Sequence, residues 1–259
     1  MPTVESHAPG SFCFVELASL DQNQAKTFYE PLLGWSHTDF PMGPDSFYTM
    51  FQLAGRDAAA AYTMRDEERA QAPPHWNLYI AVENADDAAT LAADLGGTVI
   101  AAPFDVPGQG RMAVIQDPTG AFFCIWQASN SIGIRVAAEN GTLCWADLNT
   151  PDPEGAKTFY EGLFGWNLVY GENDPSGYLH IKNGEEFIGG IPPAEQRDPS
   201  IPPNWMIYYQ VDDVDATAAK AKQLGGSEYL APMTMEGVGR MAVVADPQGA
   251  SFAIFKSST

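Results

Sequence analysis

Residues 141–166 read GTLCWADLNTPDPEGAKTFYEGLFGW, and this stretch decides the fold because the chain contains it twice. The earlier copy, residues 10–35, reads GSFCFVELASLDQNQAKTFYEPLLGW. The two copies match without a gap at an offset of 131 residues (141 − 10 and 166 − 35). In each copy the pattern of a buried strand precedes the pattern of a helix. Self-similarity of this length indicates a duplicated architecture.

A second pair of matching segments follows. Residues 74–126 match residues 203–255 at an offset of 129 (203 − 74 and 255 − 126), so the second half has a net deletion of two residues in its middle. In each half, a strand, a helix and three strands follow one another twice, which gives four β-α-β-β-β units. The sequence therefore predicts an α+β fold with a domain over residues 1–128, a linker over 129–140 and a second domain over 141–259.

The first helix of each half has recognisable end signals. In the first half Asp21 is a plausible N-cap and Gly34 a natural residue after the last turn. Pro31 predicts an early stop or a kink, because proline removes a helical hydrogen bond. In the second half Asp152 or Thr150 can cap the helix, and Gly165 closes it.

The composition excludes several classes of partner. The chain has 33 Asp plus Glu against 13 Lys plus Arg, for a net charge of −20. Such a surface disfavours nucleic acid and anionic membranes, which need clustered cations. No apolar run reaches the roughly 18 residues of a membrane span. The three cysteines form no CxxC pair, and the N-terminus lacks a signal-peptide pattern, so we expect a cytoplasmic protein with reduced thiols.

Two further motifs recur in both halves, and together they carry a family resemblance. One is Ala-x-x-Phe-Tyr-x-x-Leu-x-Gly-Trp at the end of the first helix; the other is Gly-Arg-x-x-x-x-x-Asp-Pro-x-Gly-Ala. With four β-α-β-β-β units, the chain resembles the glyoxalase/bleomycin resistance/extradiol dioxygenase (vicinal oxygen chelate) superfamily, and within it the tandem glyoxalase-like proteins of actinobacteria. The resemblance implies mixed sheets curled into cups that hold a ligand or metal. In fused tandem members a cup often pairs a unit from each half, so two such cups are expected.

The resemblance also implies where a divalent metal would be bound. None of the implied positions is a histidine or a carboxylate, and Asn77 and Cys124 alone make a poor site. We therefore predict no metal and no other cofactor. The implied positions are Phe14, Ala59 or Ala60, Asn77 and Cys124 in the first half, and Trp145, Gly189 or Gly190, Met206 and Ala253 in the second.

Strand alternation extends each metal position to a predicted cup lining. It places Phe12 on the face of Phe14, and Leu143 on the face of Trp145. The resulting aromatic walls suit a flat or hydrophobic organic ligand, although the same pattern is also typical of an ordinary core. The predicted ligand-binding residues are Phe14, Glu16, Asn77, Tyr79, Cys124, Trp126, Trp145, Asp147, Met206, Tyr208 and Gln210.

Two carboxylates interrupt these aromatic strands at equivalent positions, Glu16 and Asp147. A buried carboxylate needs a partner, so we expect an ion pair with Arg240 and Arg111 or a polar rim for substrate. Burial against aromatic side chains raises the pKa of a carboxyl group, which makes Glu16 a candidate general base.

Three functions remain open at this point. The first is a metal-independent protein that binds a small organic molecule, for sequestration or processing. The second is an enzyme of glyoxalase-like lyase, isomerase or hydroxylase/oxygenase type that does not use the usual metal site. The third is a scaffold with degenerate cups. Because an internal duplication imitates a homodimer, a monomer is expected as readily as a homodimer.

Overall fold

The computed structural model of the chain describes residues 3–44, 46–171 and 176–258. Each half forms an eight-stranded mixed sheet with helices on one face. The elements of the first half are β1 (Phe12–Ser19), α1 (Gln22–Leu33), β2 (Ser36–Gly43), β3 (Ser46–Leu53), β4 (Arg56–Thr63), α2 (Asp66–Arg69), β5 (His75–Ala81), α3 (Ala85–Asp94), β6 (Thr98–Val106), β7 (Gly110–Gln116) and β8 (Phe122–Ala128).

The second half repeats this order, with a 3₁₀ turn in place of α2. Its elements are β9 (Leu143–Asn149), α4 (Pro153–Phe164), β10 (Asn167–Tyr170), β11 (Leu179–Asn183), β12 (Glu186–Ile191), the 3₁₀ turn (Ala194–Gln196), β13 (Asn204–Gln210), α5 (Val214–Gln223), β14 (Ser227–Met235), β15 (Gly239–Ala245) and β16 (Ser251–Ser257). The predicted α+β fold of four β-α-β-β-β units is confirmed.

Both sheets have the same strand order. It is β2-β3-β4-β1-β5-β8-β7-β6 in the first half and β10-β11-β12-β9-β13-β16-β15-β14 in the second. The two units of a half join where their first strands pair antiparallel, β1 with β5 and β9 with β13. The expectation that a cup pairs one unit from each half is therefore wrong. After the link over residues 64–74, β5 pairs with β1 of the same half.

Helix α1 runs past its proline. The Asp21 carboxylate accepts hydrogen bonds from the backbone N–H groups of Asn23 (2.8 Å) and Gln24 (3.2 Å). Gly34 adopts φ 77° and its N–H bonds to the Glu30 carbonyl. Pro31 lies in the last turn and removes only one intrahelical bond, so the predicted early stop does not occur.

The two halves share one hydrophobic core. Phe28 of α1 packs edge-on against Phe252 of the second sheet, with ring centroids 6.4 Å apart. Phe159 of α4 packs in the same way on Phe123 of the first sheet, at 6.2 Å. The first helix of each half thus covers the sheet of the other half, and one buried cluster extends through both.

The Gly-Trp pair that ends each helix motif also joins the halves. The Trp35 indole N–H donates to the Gly141 carbonyl at 2.7 Å, and the Trp166 indole N–H donates to the Gly10 carbonyl at 2.9 Å. The two bonds are related by the duplication, because 141 − 10 and 166 − 35 are the same offset. The repeated motif therefore encodes the contact between the halves.

Two β-bulges overturn part of the predicted cup lining. The pairing of β1 with β5 shifts between Phe12 and Phe14, so Phe12 turns into the shared core and packs edge-on against Trp166 (5.7 Å) and Trp205 (5.6 Å). A bulge at the equivalent place in β9 puts Leu143 in the shared core, whereas Trp145 lies in a separate cluster on the other face. An extra residue reverses strand alternation.

No helix within the described residues is long and apolar enough to cross a membrane.

Candidate functional site in the two cups

Each sheet has one face in the shared core and one face turned away from it, which we call the first cup and the second cup. In the first sheet, Phe14 lies opposite Tyr79 and Glu16 opposite Asn77. Tyr79 in turn pairs with Cys124 on the next strand. Three adjacent strands, β1, β5 and β8, therefore bring the ligand-binding residues predicted for the first half onto one surface.

A buried carboxylate lies at the centre of the first cup. Glu16 Oε1 accepts a hydrogen bond from the Tyr48 hydroxyl at 2.6 Å, and Glu16 Oε2 accepts one from the Tyr79 hydroxyl at 2.7 Å. Only 9% of Glu16 is exposed. Burial raises the pKa of the Glu16 carboxyl group, the two hydroxyl donors lower it in part, and the nearby Glu68 raises it again.

The phenols around Glu16 stay protonated. Burial, and then the negative charge of Glu16, raise the pKa values of Tyr48 and Tyr79 well above the ordinary value. The same two causes raise the pKa of Tyr62, whose side chain bonds to Asn77. Tyr48 and Tyr79 therefore keep the hydroxyl protons that they donate to Glu16.

Aromatic side chains line the rest of the first cup. Phe14 and Trp126 both pack edge-on against Tyr79, with ring centroids 5.6 and 6.4 Å from it. The Trp126 indole N–H donates to the Ser131 carbonyl at 2.9 Å, and the ring lies across Gly110, where a Cβ would come within 2.5 Å of it. The glycine of the Gly-Arg motif thus leaves space for the Trp126 ring.

The second cup also has a buried carboxylate, Asp147, which accepts hydrogen bonds from three donors where Glu16 accepts from two. Asp147 Oδ1 accepts from the Trp145 indole N–H (2.9 Å) and the Tyr178 hydroxyl (2.5 Å), and Oδ2 accepts from the Tyr208 hydroxyl (2.7 Å). Burial raises the Asp147 pKa, although the donors, Tyr178 first, oppose the shift. Met206 lies opposite Asp147 and packs in the cluster on this face, and Gln210 lies further along the same strand, beside Phe255.

Sequence reasoning missed Tyr48 and Tyr178. Tyr48 lies on β3, and Tyr178 directly precedes the equivalent strand β11. The offset between them is 130, because the two-residue deletion is distributed over two loops (167 − 36 is 131 and 182 − 52 is 130, from paired residues). Stepping the offset from 131 to 130 would have revealed a tyrosine in both copies.

The predicted ion pairs with arginine are wrong. The Arg111 guanidinium bonds to Asp86 at 2.8 and 2.9 Å and to Asp105 at 2.8 Å, and Arg240 bonds in the same way to Asp215. These arginines lie on the helix side of their strands, since the next residue, Met112, pairs with Trp126 on the cup side. Strand alternation thus points the guanidinium groups away from both carboxylates.

The donor atoms in the cups do not fit the metal site implied by the family. No group of three or more His, Cys, Asp or Glu side chains that could hold a metal ion occurs in residues 3–44, 46–171 and 176–258. Burial raises the pKa of the Cys124 thiol far above its ordinary value, so its thiolate form is strongly disfavoured. Asn77 and the neutral phenols are weak ligands for a divalent ion.

Two open surface hollows lie outside the cups. One, of about 380 Å³, runs along α3 and includes Asp86, whose pKa is lowered by the Arg111 side chain. The other, of about 340 Å³, lies where Leu33 and Gly34 meet Gly141 and Asp212 of the second half. Neither combines aromatic walls with a buried polar group, so the cups are the better candidate site.

The sheet topology and the repeated motifs agree with one family. A model described as "Glyoxalase/Bleomycin resistance protein/Dioxygenase superfamily" matches residues 13–125 and again residues 142–254. The chain belongs to this superfamily, with one domain of it in each half.

Relatives of similar length support the same assignment. "Putative glyoxylase CFP32" of Mycobacterium tuberculosis is 39% identical over 262 residues, covering 99% of this chain and 98% of that protein. "Anthracycline biosynthesis protein DnrV" of Streptomyces peucetius is 31% identical over 263 residues, covering 95% and 93%. The likeness extends over both halves in each case.

Solved structures share the fold at low identity. The Mn(II)-bound glyoxalase of Novosphingobium aromaticivorans has a TM-score of 0.64 at 15% identity and covers 95% of this chain and 82% of its own. The 2,3-dioxygenase LapB of Pseudomonas sp. KL28 has a TM-score of 0.62 at 15% identity, covering 98% and 93%. At such identity the likeness concerns the fold and not the chemistry.

Proposed function

We propose that this protein binds a small aromatic organic molecule in a cup without a metal ion or other cofactor. The observation that carries this function is the buried Glu16 carboxylate, held by Tyr48 and Tyr79 among the aromatic rings of the first cup. A few convergent polar groups inside an aromatic wall are typical of small-molecule sites. The names of two relatives place those proteins in the biosynthesis of anthracyclines, which are fused-ring aromatic compounds and would suit such walls.

The ligand in this function is a small molecule and not a nucleic acid or a membrane. The net charge of −20 opposes binding to nucleic acid or to an anionic lipid surface. Three free cysteines agree with a cytoplasmic location. The oligomeric state, monomer or homodimer, stays a prediction.

Titration of metal-free protein with a panel of fused-ring aromatic compounds tests this function. We expect quenching of tryptophan fluorescence and saturable binding in the presence of a chelator. Trp126→Leu should weaken binding, because it removes a stacking surface worth roughly 1 kcal/mol or more. The exposed Phe187→Leu is the matched control, since 54% of Phe187 is exposed on a different sheet. Loss of all binding on addition of the chelator would contradict metal independence.

The second candidate is an enzyme in which Glu16 acts as general base. The observation that favours it is the raised pKa of the Glu16 carboxyl group, produced first by burial, which brings a carboxylate closer to the range useful for proton transfer. Turnover of a bound metabolite should then fall at least about 100-fold in Glu16→Gln. Unchanged turnover and unchanged binding in this variant would exclude the role.

A further inference from the structure

We propose that the second half binds an extended protein segment across the start of β9, in the place where the chain's own linker covers the first half. The segment has branched aliphatic side chains followed by a cationic residue. This surface is separate from the first-cup site of the proposed function, and the inference does not depend on that function.

The linker crosses the first cup where β1 begins. Residues 131–136, which we call the strap, bond through their backbone to two strands. The Ile134 N–H donates to the Cys13 carbonyl at 2.8 Å, and the Arg135 N–H donates to the Asp57 carbonyl at 2.6 Å. The strap therefore joins the start of β1 to the start of β4.

The strap fills a gap between these two strands. The parallel pairing of β1 with β4 begins at Glu16 and Ala60, so the earlier residues, which the strap contacts, lie outside the paired region. The strap side chains Ile134 and Val136 are 0% and 1% exposed and pack in the shared core. Backbone bonds with inserted side chains are the way an added strand binds to a sheet.

The second half repeats this gap. Strand β9 has the same bulge as β1, with Cys144 at the position of Cys13, and its parallel pairing with β12 begins at Ala146 and Gly189. In the part of the chain that the structure describes, only Ser258 follows β16. The described chain therefore does not continue across the second cup as the strap continues across the first.

The side chains beneath the strap show the effect of this difference. In the first half they are buried, with exposed fractions of 0% for Cys13, 8% for Phe14 and 8% for Trp126. Their counterparts in the second half are all partly exposed, namely Cys144, Trp145 and Phe255. An apolar surface is thus uncovered at the place where its duplicate is covered, which favours a partner similar to the cover.

The far end of the uncovered surface is an exposed ring. Phe187 matches Asp57 at an offset of 130, because Phe187 pairs with Lys182 as Asp57 pairs with Gln52. Phe187 is 54% exposed. A segment that bonds to the backbone here, as Arg135 bonds to Asp57, would cover this ring.

The charge at this end is reversed between the halves. The Arg56 guanidinium bonds to the Glu139 carboxylate at 2.9 and 2.8 Å, three residues beyond the strap. The residue that matches Arg56 at an offset of 130 is Glu186, which is exposed and has no ion-pair partner among the described residues. A cation is therefore favoured where the linker has Glu139. The net charge of −20 also opposes a second copy as the partner.

Fluorescence polarisation with two labelled peptides tests the proposal. Both peptides have the sequence of residues 129–140, and one of them carries Glu139→Lys. We expect both to bind the full chain at one site, the lysine peptide roughly fivefold more tightly at low salt. Lack of saturable binding by either peptide up to about 1 mM would overturn the proposal.

Charge reversal on the protein identifies the cation's partner. Glu186→Lys should invert the order of the two peptides. Glu185→Lys is the matched control, because its side chain is 99% exposed and lies one residue earlier, and it should leave the order unchanged. An order that does not change in Glu186→Lys contradicts the part assigned to this carboxylate.

Two exposed rings locate the peptide. Phe187→Ala should weaken binding at least about fivefold, as truncation of a central aromatic contact does. Phe122→Ala is its control, since Phe122 is 50% exposed on the first sheet, and it should have no effect. Surface substitutions of this kind leave the fold intact. Equal effects of the two variants would place the peptide elsewhere and overturn the proposal.

The same variants detect the other possible occupants. Sedimentation of the protein alone should give the same species for wild type and Phe187→Ala. A dimer that Phe187→Ala dissociates would show that a second copy covers this surface and would overturn the proposal. Fused-ring aromatic compounds that lose binding in Phe187→Ala, with no binding of either peptide, would overturn it in favour of a small molecule.

Discussion

At the scale of single residues, Glu16 sets the most direct test of the site. Burial raises the pKa of its carboxyl group in the folded chain above the ordinary value of 4.5. Ionisation of Glu16 therefore opposes folding: the cost is absent below the unfolded pKa, grows as the pH rises through that value, and is complete above the folded pKa.

Glu16→Gln should remove this pH dependence. We expect the free energy of unfolding of wild type, relative to the variant, to fall between pH 4 and pH 8, by roughly 1.4 kcal/mol for each pH unit by which the pKa is raised. Urea unfolding of both proteins at several pH values measures the difference, in which the contributions of Asp147 and Asp246 cancel. Parallel pH curves for the two proteins would show that the carboxyl group is not perturbed.

Whether a site residue could be predicted depends on how many strand pairings separate it from the residue that it contacts. Glu16 and Tyr79 follow from alternation within two adjacent central strands, and they lie together as expected. Tyr48 reaches Glu16 from β3, which is separated from β1 by β4, so its position depends on two strand registers that no local pattern fixes. Arg111 differs from Tyr48, because strand alternation alone predicts that the Arg111 side chain lies on the face of the sheet opposite the cup.

At the scale of elements, the Asp-Pro-x-Gly turns fasten each sheet to a helix of the other half. Asp117 Oδ1 accepts from the backbone N–H groups of Thr119, Gly120 and Ala121 at 2.8 to 3.0 Å. Its Oδ2 accepts from the Tyr160 hydroxyl at 2.9 Å, and that hydroxyl accepts from the Trp205 indole N–H at 3.0 Å. One tyrosine therefore joins a turn and a strand from different halves.

Tyr160→Phe should destabilise the protein by about 1–3 kcal/mol, because it leaves a buried carboxylate oxygen and a buried indole N–H without their partner. Tyr209→Phe is the matched control in the same core, since the Tyr209 hydroxyl has no hydrogen-bond partner among the described residues. Chemical denaturation measures both variants. Equal stability changes for the two would contradict the role assigned to Tyr160.

The elements were largely predictable, and the exceptions have local causes. Strand β3, Ser46–Leu53, is one of the three strands that the β-α-β-β-β pattern predicts after the first helix. Helix α2, Asp66–Arg69, is absent from the β-α-β-β-β pattern, because its single turn is too short for helical periodicity and depends on Arg65 and Glu68 bonding to each other. The bulge beside Phe14 has no sequence signal such as a glycine.

At the scale of the whole molecule, neither half contains a complete core. Phe28 packs on Phe252, and Phe123 packs on Phe159, so each half covers the other. Residues 1–128 or 141–259 expressed alone should therefore expose these rings and form aggregates or symmetric dimers, because large exposed apolar surfaces associate. Gel filtration and circular dichroism of each half check this, with a mixture of both halves as the reference. A folded, monomeric half would contradict the shared core.

The duplication, the two domains and the fold family were all readable from the repeats. Which two units share a sheet could not be predicted from the sequence. Pairing within a half and pairing between halves would give each strand equivalent neighbouring strands. Contacts such as the Trp35 indole N–H on the Gly141 carbonyl could not be predicted either, since they depend on how two complete sheets meet.

The bulged strand β1 has a consequence for how the protein can evolve. Val15 and Leu17 are fully buried in the shared core, while the alternate residues Phe14 and Glu16 face the first cup. Mutations at Val15 or Leu17 must suit both halves at once, whereas mutations at Phe14 or Glu16 affect only the first cup. Substitutions at every second residue of this strand can therefore change one cup, while the scaffold and the other cup are inherited unchanged.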